Sequence, residues 1–216
     1  MKKEKIKDLY YALIFISSFV LWTVLVKRVD LAPIGPNGSV VGFSHINKWF
    51  HNLTGVNMWL YHVTDWLGLV PVFISFSFAV LGLIQWIKCK NILKVDFSIL
   101  MLGAFYIVTF AAYLLFEMHP INYRPVLING FLEASYPSST TLLVLCVMPT
   151  AVMQINCRIK NQAFRKILSS VLSVFSGFMV IGRLVSGVHW ITDIIGSVLF
   201  SAGLVLIYRF FISIQK

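Results

Sequence analysis

Apolar residues crowd into six stretches, and charged or turn-forming residues mark the gaps. The first stretch runs Leu9–Val26 with no charge inside it. The others are Trp66–Ile87, Phe97–Phe116, Ser139–Ile155, Ile167–Gly182 and Ile191–Tyr208. A helix crosses a bilayer with roughly 20 mostly apolar residues, within a range of about 17–25. The pattern therefore predicts an all-α, polytopic membrane protein with six transmembrane helices, and the length suits a single domain over 1–216. The basic start MKKEKIK makes the first stretch look like a signal peptide. Its apolar run exceeds the usual length of about 7–15 residues, and no small-residue cleavage site follows, so it reads as an uncleaved anchor.

Between the first two stretches lies a long segment, about Lys27–Asp65. It opens with the turn-rich APIGPNG and continues as HINKWFHNLTGVNMWLYHVTDW. That mixture of aromatic and polar residues suits an interfacial position at headgroup depth. It also holds two glycosylation sequons, at Asn37 and Asn52, which count only in a eukaryotic secretory pathway.

Composition agrees with a bilayer. Of 216 residues 58% are hydrophobic and 12% charged, against about 25% charged in soluble domains. Disorder is excluded by the abundance of apolar residues. The net charge of +10 would suggest nucleic acid in a soluble protein, but its distribution is topological. The N-terminus, the loop at Lys88–Lys94, the loop at Arg158–Lys166 and the C-terminus together hold 13 of the 18 Lys and Arg. Lys27, Arg28, Lys48, Arg124 and Arg183 make up the other 5. Positive charge collects on the cytoplasmic side, so both termini are expected there and no nucleic-acid partner is expected. The short loops suit a bacterial plasma membrane. Cys89, Cys146 and Cys157 form no CxxC and are odd in number, so neither a disulfide framework nor a zinc site is implied. The spacing of His45, His51 and His62 fits no metal-ligand pattern. No metal or cofactor is expected, and nothing sets an oligomeric state.

Ionisable groups near spans are costly and tend to be functional. Three segments at the non-basic ends of the predicted spans carry them: Glu117-Met-His119-Pro-Ile-Asn-Tyr-Arg124-Pro125, then Tyr136-Pro-Ser138-Ser139-Thr140, then Gly182-Arg183 through His189 to Asp193. Their chemistry suits a phosphate. Arg124 and Arg183 can fork onto phosphate oxygens. Ser138, Ser139 and Thr140 precede a predicted helix, whose first N–H groups attract an anion. His189 and Asp193, four apart, would share a helix face, with the carboxylate fixing the tautomer of the ring. Plainer readings exist for each alone: snorkelling arginines, an N-cap, a structural pair.

In order and spacing the three segments resemble the type 2 phosphatidic acid phosphatase family, which shares its active site with vanadium haloperoxidases. The family pattern is Lys-x6-Arg-Pro, Pro-Ser-Gly-His and Ser-Arg-x5-His-x3-Asp. The resemblance covers about Phe97–Tyr208, an expected phosphatase-like core. It implies that His189 is a nucleophile forming a phosphohistidine, that Asp193 orients it, and that Arg124, Arg183 and Ser138 hold phosphate. The chain departs from the pattern at four positions: Glu117 replaces the Lys, Ser139 the Gly, Thr140 the His that serves as general acid, and Gly182 the Ser. The cage loses a cation and gains a carboxylate, and the proton donor is gone. A lipid alkoxide, with a conjugate acid near the water value of about 15.7, needs that proton. A phosphate leaving group, with a second pKa of about 6, needs it far less. Pyrophosphate-type lipids are therefore favoured, with Glu117 or His119 as replacement acids. The expected function is a lipid phosphatase acting on a phosphate or pyrophosphate at the extracytoplasmic face. The alternatives are a headgroup phosphotransferase and a degenerate member that binds phosphate without turnover.

Overall fold

The computed structural model describes residues 2–214. Among them there is no β-strand, only isolated bridges. The α-helices are α1 (Lys2–Val26), α2 (Ser44–Thr54), α3 (Met58–Leu67), α4 (Leu69–Cys89), α5 (Phe97–Met118), α6 (Ser139–Arg158), α7 (Gln162–Val185) and α8 (Ile191–Ile214). Six helical stretches are long and apolar enough to cross a bilayer, as the pattern predicted. The protein is an all-helical, multi-pass membrane protein.

One boundary differs from the expectation. The second span begins at Met58, not Trp66, because α3 joins α4 with only Gly68 in turn conformation between them. Asn57 starts α3 by accepting the Leu60 N–H at 3.0 Å, which satisfies one of the donors a helix start leaves free. The long segment read as interfacial up to Asp65 thus ends near Asn57. Tyr61, His62, Thr64 and Asp65 hid this helix in the sequence, since they interrupt its apolar run.

The most enclosed span is α6, which packs against α4, α5, α7 and α8. Leu142, Cys146 and Val147 of α6 meet Leu102 and Tyr106 of α5 and Leu204 and Tyr208 of α8 in the main core. The anchor α1 lies along α8, where Phe19 stacks on Phe200 at 4.4 Å between ring centroids.

Cross-links fix which helix ends share a side. Trp22 near the end of α1 donates to the Thr192 carbonyl at the start of α8. Arg183 near the end of α7 donates to Thr140 at the start of α6. At the other end, Arg158 of α6 reaches Asp96 ahead of α5, and Asp8 of α1 pairs with Arg209 of α8. The basic loops thus sit at one end of the bundle, and the three chemistry-bearing segments at the other. The short helix α2 covers that second end. Its Asn47 side chain donates to the Thr192 hydroxyl at 3.1 Å, while Ile46, Trp49 and Leu53 stay exposed, which suits an interfacial helix.

Candidate active site

His189 stands in the turn between α7 and α8, two residues before α8 begins. The expectation that it shares a helix face with Asp193 is therefore corrected: only Asp193 is helical. The turn is held from outside. Gly187 has φ +68°, and a Cβ there would come within 1.8 Å of the Gly55 carbonyl oxygen. The Asn57 N–H donates to the Ser186 carbonyl at 2.9 Å. Asp193 accepts the Trp190 N–H at 2.9 Å, an arrangement like half of a capping box, which locks the carboxylate under the turn.

The link from Asp193 to His189 runs through a residue that sequence reasoning missed. The direct separation, Nδ1 to Oδ2, is 3.6 Å, too long for a hydrogen bond. Ser135 fills the gap: its hydroxyl donates to Asp193 Oδ2 and lies 3.2 Å from His189 Nδ1. The Ser135 carbonyl lies 3.2 Å from the same nitrogen. On the other side of the ring, Arg124 Nη1 is 3.4 Å from Nε2. A guanidinium has no lone pair to offer, so Nε2 accepts and Nδ1 carries the proton, donating toward Ser135. The ring is fully buried. Burial first, then the Arg124 and Arg183 cations, hold its pKa well below the ordinary value of 6.5, so it is a neutral imidazole.

Ser135 and Arg124 are placed by one local structure. Residues 122–135 double back through a turn at Asn129–Gly130, both with positive φ (50° and 82°). Ile128 and Phe131 exchange backbone hydrogen bonds across it. Further along, the Arg124 N–H donates to the Glu133 carbonyl and the Ser135 N–H to the Asn122 carbonyl. Asn-Gly is the sequence signal for such a turn, one that sequence reasoning left unused.

The two arginines share one aromatic ring. The guanidinium carbons of Arg124 and Arg183 lie 5.6 Å and 4.9 Å from the Tyr61 centroid, within cation–π range. Arg183 is almost fully buried. It donates to Thr140 Oγ1 at 2.8 Å and to Asp65 Oδ1 at 3.2 Å. Arg124 Nε is 3.1 Å from Glu133 Oε2, but not aligned as a hydrogen bond. Asp65, Glu133 and Tyr61 were also missed by sequence reasoning, and no spacing rule pointed to them.

A cavity of about 480 Å³ opens beside this cluster, walled by Asp65, Glu117, Arg124, Glu133, Thr140 and Arg183. Ser139 also lines it, at the first turn of α6. Ser138 does not: it is fully buried, and its hydroxyl pairs with Thr141 at 3.0 Å. His119 lies at the exposed end of α5, off the cavity wall. His45 pairs with Asp30, His51 packs against Trp190 and His62 against Tyr61, so the three are dispersed. Gly182 has a packing reason, since a Cβ there would come within 2.7 Å of Thr64 Cγ2 on α3. A second, apolar groove of about 820 Å³ runs between α4 and α5, past Phe76, Ile107 and Phe110. Val72 lines both this groove and the polar cavity.

Fold and site together define a polytopic, all-helical membrane protein with a buried His–Arg cluster at the end of its bundle. No protein-family model and no curated protein matches the chain. Among solved structures, it is similar to the first transmembrane PAP2 type phosphatidylglycerolphosphate phosphatase from Bacillus subtilis, with a TM-score of 0.67 and 17% identity over 96% of this chain and 98% of that one. At that identity the likeness is one of fold.

Proposed function

We propose that the chain is an integral membrane lipid phosphatase. It hydrolyses a lipid phosphate or pyrophosphate at the extracytoplasmic face, through a phosphohistidine on His189. The observation that carries this reading is the neutral His189 ring with Nδ1 tied to Ser135 and Nε2 beside the Arg124 guanidinium. His189 is buried behind Arg124 and does not itself line the cavity; when Arg124 turns onto a bound phosphate, the Nε2 lone pair that it covers is released for attack. Nε2 attacks phosphorus, the bond to the leaving oxygen breaks, and that oxygen keeps the electron pair. Water later cleaves the P–N bond and returns the free imidazole.

Three further features support the reading. The α6 N-terminus and two arginines face developing negative charge, and phosphoryl transfer depends mainly on such positioning and charge stabilisation. The apolar groove that shares Val72 with the cavity suits an acyl or prenyl chain. The basic loops at the far end support an extracytoplasmic site by the positive-inside rule. Thr140, where the resembled pattern has its acid, is engaged by Arg183 and supplies no acidic proton. Glu117 on the cavity wall is the proton donor within reach, and leaving groups of low basicity are preferred.

The test compares phosphate release by the purified protein from a prenyl pyrophosphate and from phosphatidate. Pyrophosphate turnover is expected to exceed monophosphate turnover. The double variant Glu117→Lys/Thr140→His is expected to raise monophosphate turnover about 10²-fold, the lower range for general acid catalysis. No release from either lipid overturns the phosphatase reading. Release from both, with no gain in the double variant, overturns the leaving-group argument alone.

A further inference from the structure

The cavity is short of positive charge for a phosphate site. It holds two guanidiniums and three carboxyl groups, Asp65, Glu117 and Glu133. Even with Glu117 protonated, carboxylates match guanidiniums one for one. A phosphomonoester brings about −1.5 to −2 charge at neutral pH to a cavity with nothing left over to meet it. The cation that the resembled phosphatases supply from a lysine is absent, and Glu117 stands there instead.

The charges are also layered. The side chains of Arg124 and Arg183 are 9% and 1% exposed, while those of Glu133 and Asp65 are 36% and 52% exposed. The guanidiniums form the floor, and the carboxylates stand towards the mouth within 3.1 Å and 3.2 Å of them. Each buried arginine still has capacity for a ligand, because neither Nε has a hydrogen-bond partner among the described residues.

We infer that the cavity admits a zwitterionic lipid head group, an aminoalkyl phosphate whose phosphate meets Arg124 and Arg183 while its protonated amine meets Asp65, Glu117 and Glu133. The inference rests on reading the cavity as a phosphate site and specifies what else the head group carries. In an aminoethyl phosphate only an oxygen and two methylenes separate nitrogen from phosphorus, so one head group spans floor and mouth. The bound lipid itself brings the missing cation, its amine offsetting the charge of its own phosphodiester. Asp65 and Glu133 then determine specificity for head-group charge, by charge-assisted hydrogen bonds to the amine.

The test uses two short-chain lipids that differ only in the amine, dihexanoyl phosphatidylethanolamine and dihexanoyl phosphatidylethanol. Their binding to the full chain in detergent is measured by calorimetry, with and without Mg²⁺. The ethanolamine lipid is expected to bind about tenfold more tightly, the worth of one hydrogen bond to a charged group. Glu133→Gln, on the surface turn, removes most of that advantage and strengthens phosphatidylethanol binding. Asp65→Asn does the same if Arg183 keeps its place. Equal affinities, or equal loss for both lipids in Glu133→Gln, overturn the inference. So does parity that arises only with Mg²⁺, since the carboxylates would then hold a metal ion. Aminoethyl phosphate alone, without acyl chains, is expected to bind more weakly than the lipid; equal binding would overturn the assignment to a lipid head group. Phosphatidate hydrolysis is scored in parallel. Hydrolysis without amine preference removes this inference and leaves the phosphatase reading. Amine preference without hydrolysis of any phosphate lipid does the reverse.

Discussion

The two ends of the bundle each carry a polar network at the mouth of the same helices, and they are finished differently. At the basic end, Arg158 donates to Asp96 at 2.6 Å and to Gln154 at 2.8 Å, and Gln154 donates to the Tyr208 hydroxyl at 2.6 Å. No buried side-chain atom of this Arg158–Gln154–Tyr208 network lacks a partner among the described residues. At the opposite end Arg183 Nε is buried without one, and Arg124 Nε meets Glu133 only as an unaligned ion-pair contact at 3.1 Å. Unpaired buried polar atoms cost stability, and such cost tends to persist where function requires it. The first network is a structural clasp. The second is arranged for something that arrives.

The comparison can be broken most directly at the ring. Replacing His189 with Ala is expected to lower phosphate release by at least about 10³-fold, as removal of a nucleophile does, while thermal unfolding in detergent stays close to that of the parent. A variant that retains turnover would make the second network structural as well.

Ser135→Ala sharpens the contrast inside the site. It keeps the carbonyl that accepts from His189 and removes the hydroxyl that bridges to Asp193. Activity should fall about 10–100-fold, the usual effect of losing a group that orients a catalytic one. The loss should appear in kcat more than in KM, because the hydroxyl is not on the cavity wall.

Gln154→Leu at the other end should behave in the opposite way. It removes the amide that donates to the Tyr208 hydroxyl and accepts from Arg158 Nε, costing about 1–2 kcal/mol of stability, with turnover unchanged. Asp96→Asn, which keeps a side chain able to cap α5 at the Ser98 N–H, costs less, under about 1 kcal/mol, since the ion pair it removes is substantially exposed.

The smallest effect concerns pH. In the unfolded chain His189 titrates near its ordinary value of 6.5, and in the folded protein burial and the two arginines hold it well below that. Between those values the unfolded chain binds the extra proton, so stability rises with pH in this window. The contribution is intact above about 6.5 and is lost as pH falls from there. The unfolding temperature of the parent should therefore drop more between pH 7 and pH 5 than that of His189→Asn. Arg124→Gln removes a neighbouring cation and should give a slope between the two. Parallel curves for all three proteins would show that the ring is not buried as a neutral base.

Much of the fold was legible because the bilayer imposes a coarse rule. Six apolar runs of sufficient length dictate six helices whatever their packing, since backbone polar groups in lipid must be satisfied within the helix. The exception, the early start at Met58, arose where Tyr61, Thr64 and Asp65 face the site, so hydropathy underestimated the helix. The spacing of Arg183, His189 and Asp193 also placed those residues close together, as a fixed interval along one connection must.

What crosses between segments was decided only in three dimensions. Arg183 from α7 and Arg124 from the 122–135 turn meet over Tyr61 of α3, residues with no relation in sequence distance. Asp65 and Glu133 become partners of those arginines because helix packing brings α3 beside α7 and a turn folds 133 back onto 124. Ser138, suggestive as a phosphate ligand by position, turns inward to Thr141, and Ser135 takes the place beside the ring. Hydrophobic periodicity sets which segments enter the bilayer and in what order. It carries no information on how those segments are rotated about their axes, and that rotation selects which polar side chains share a cavity.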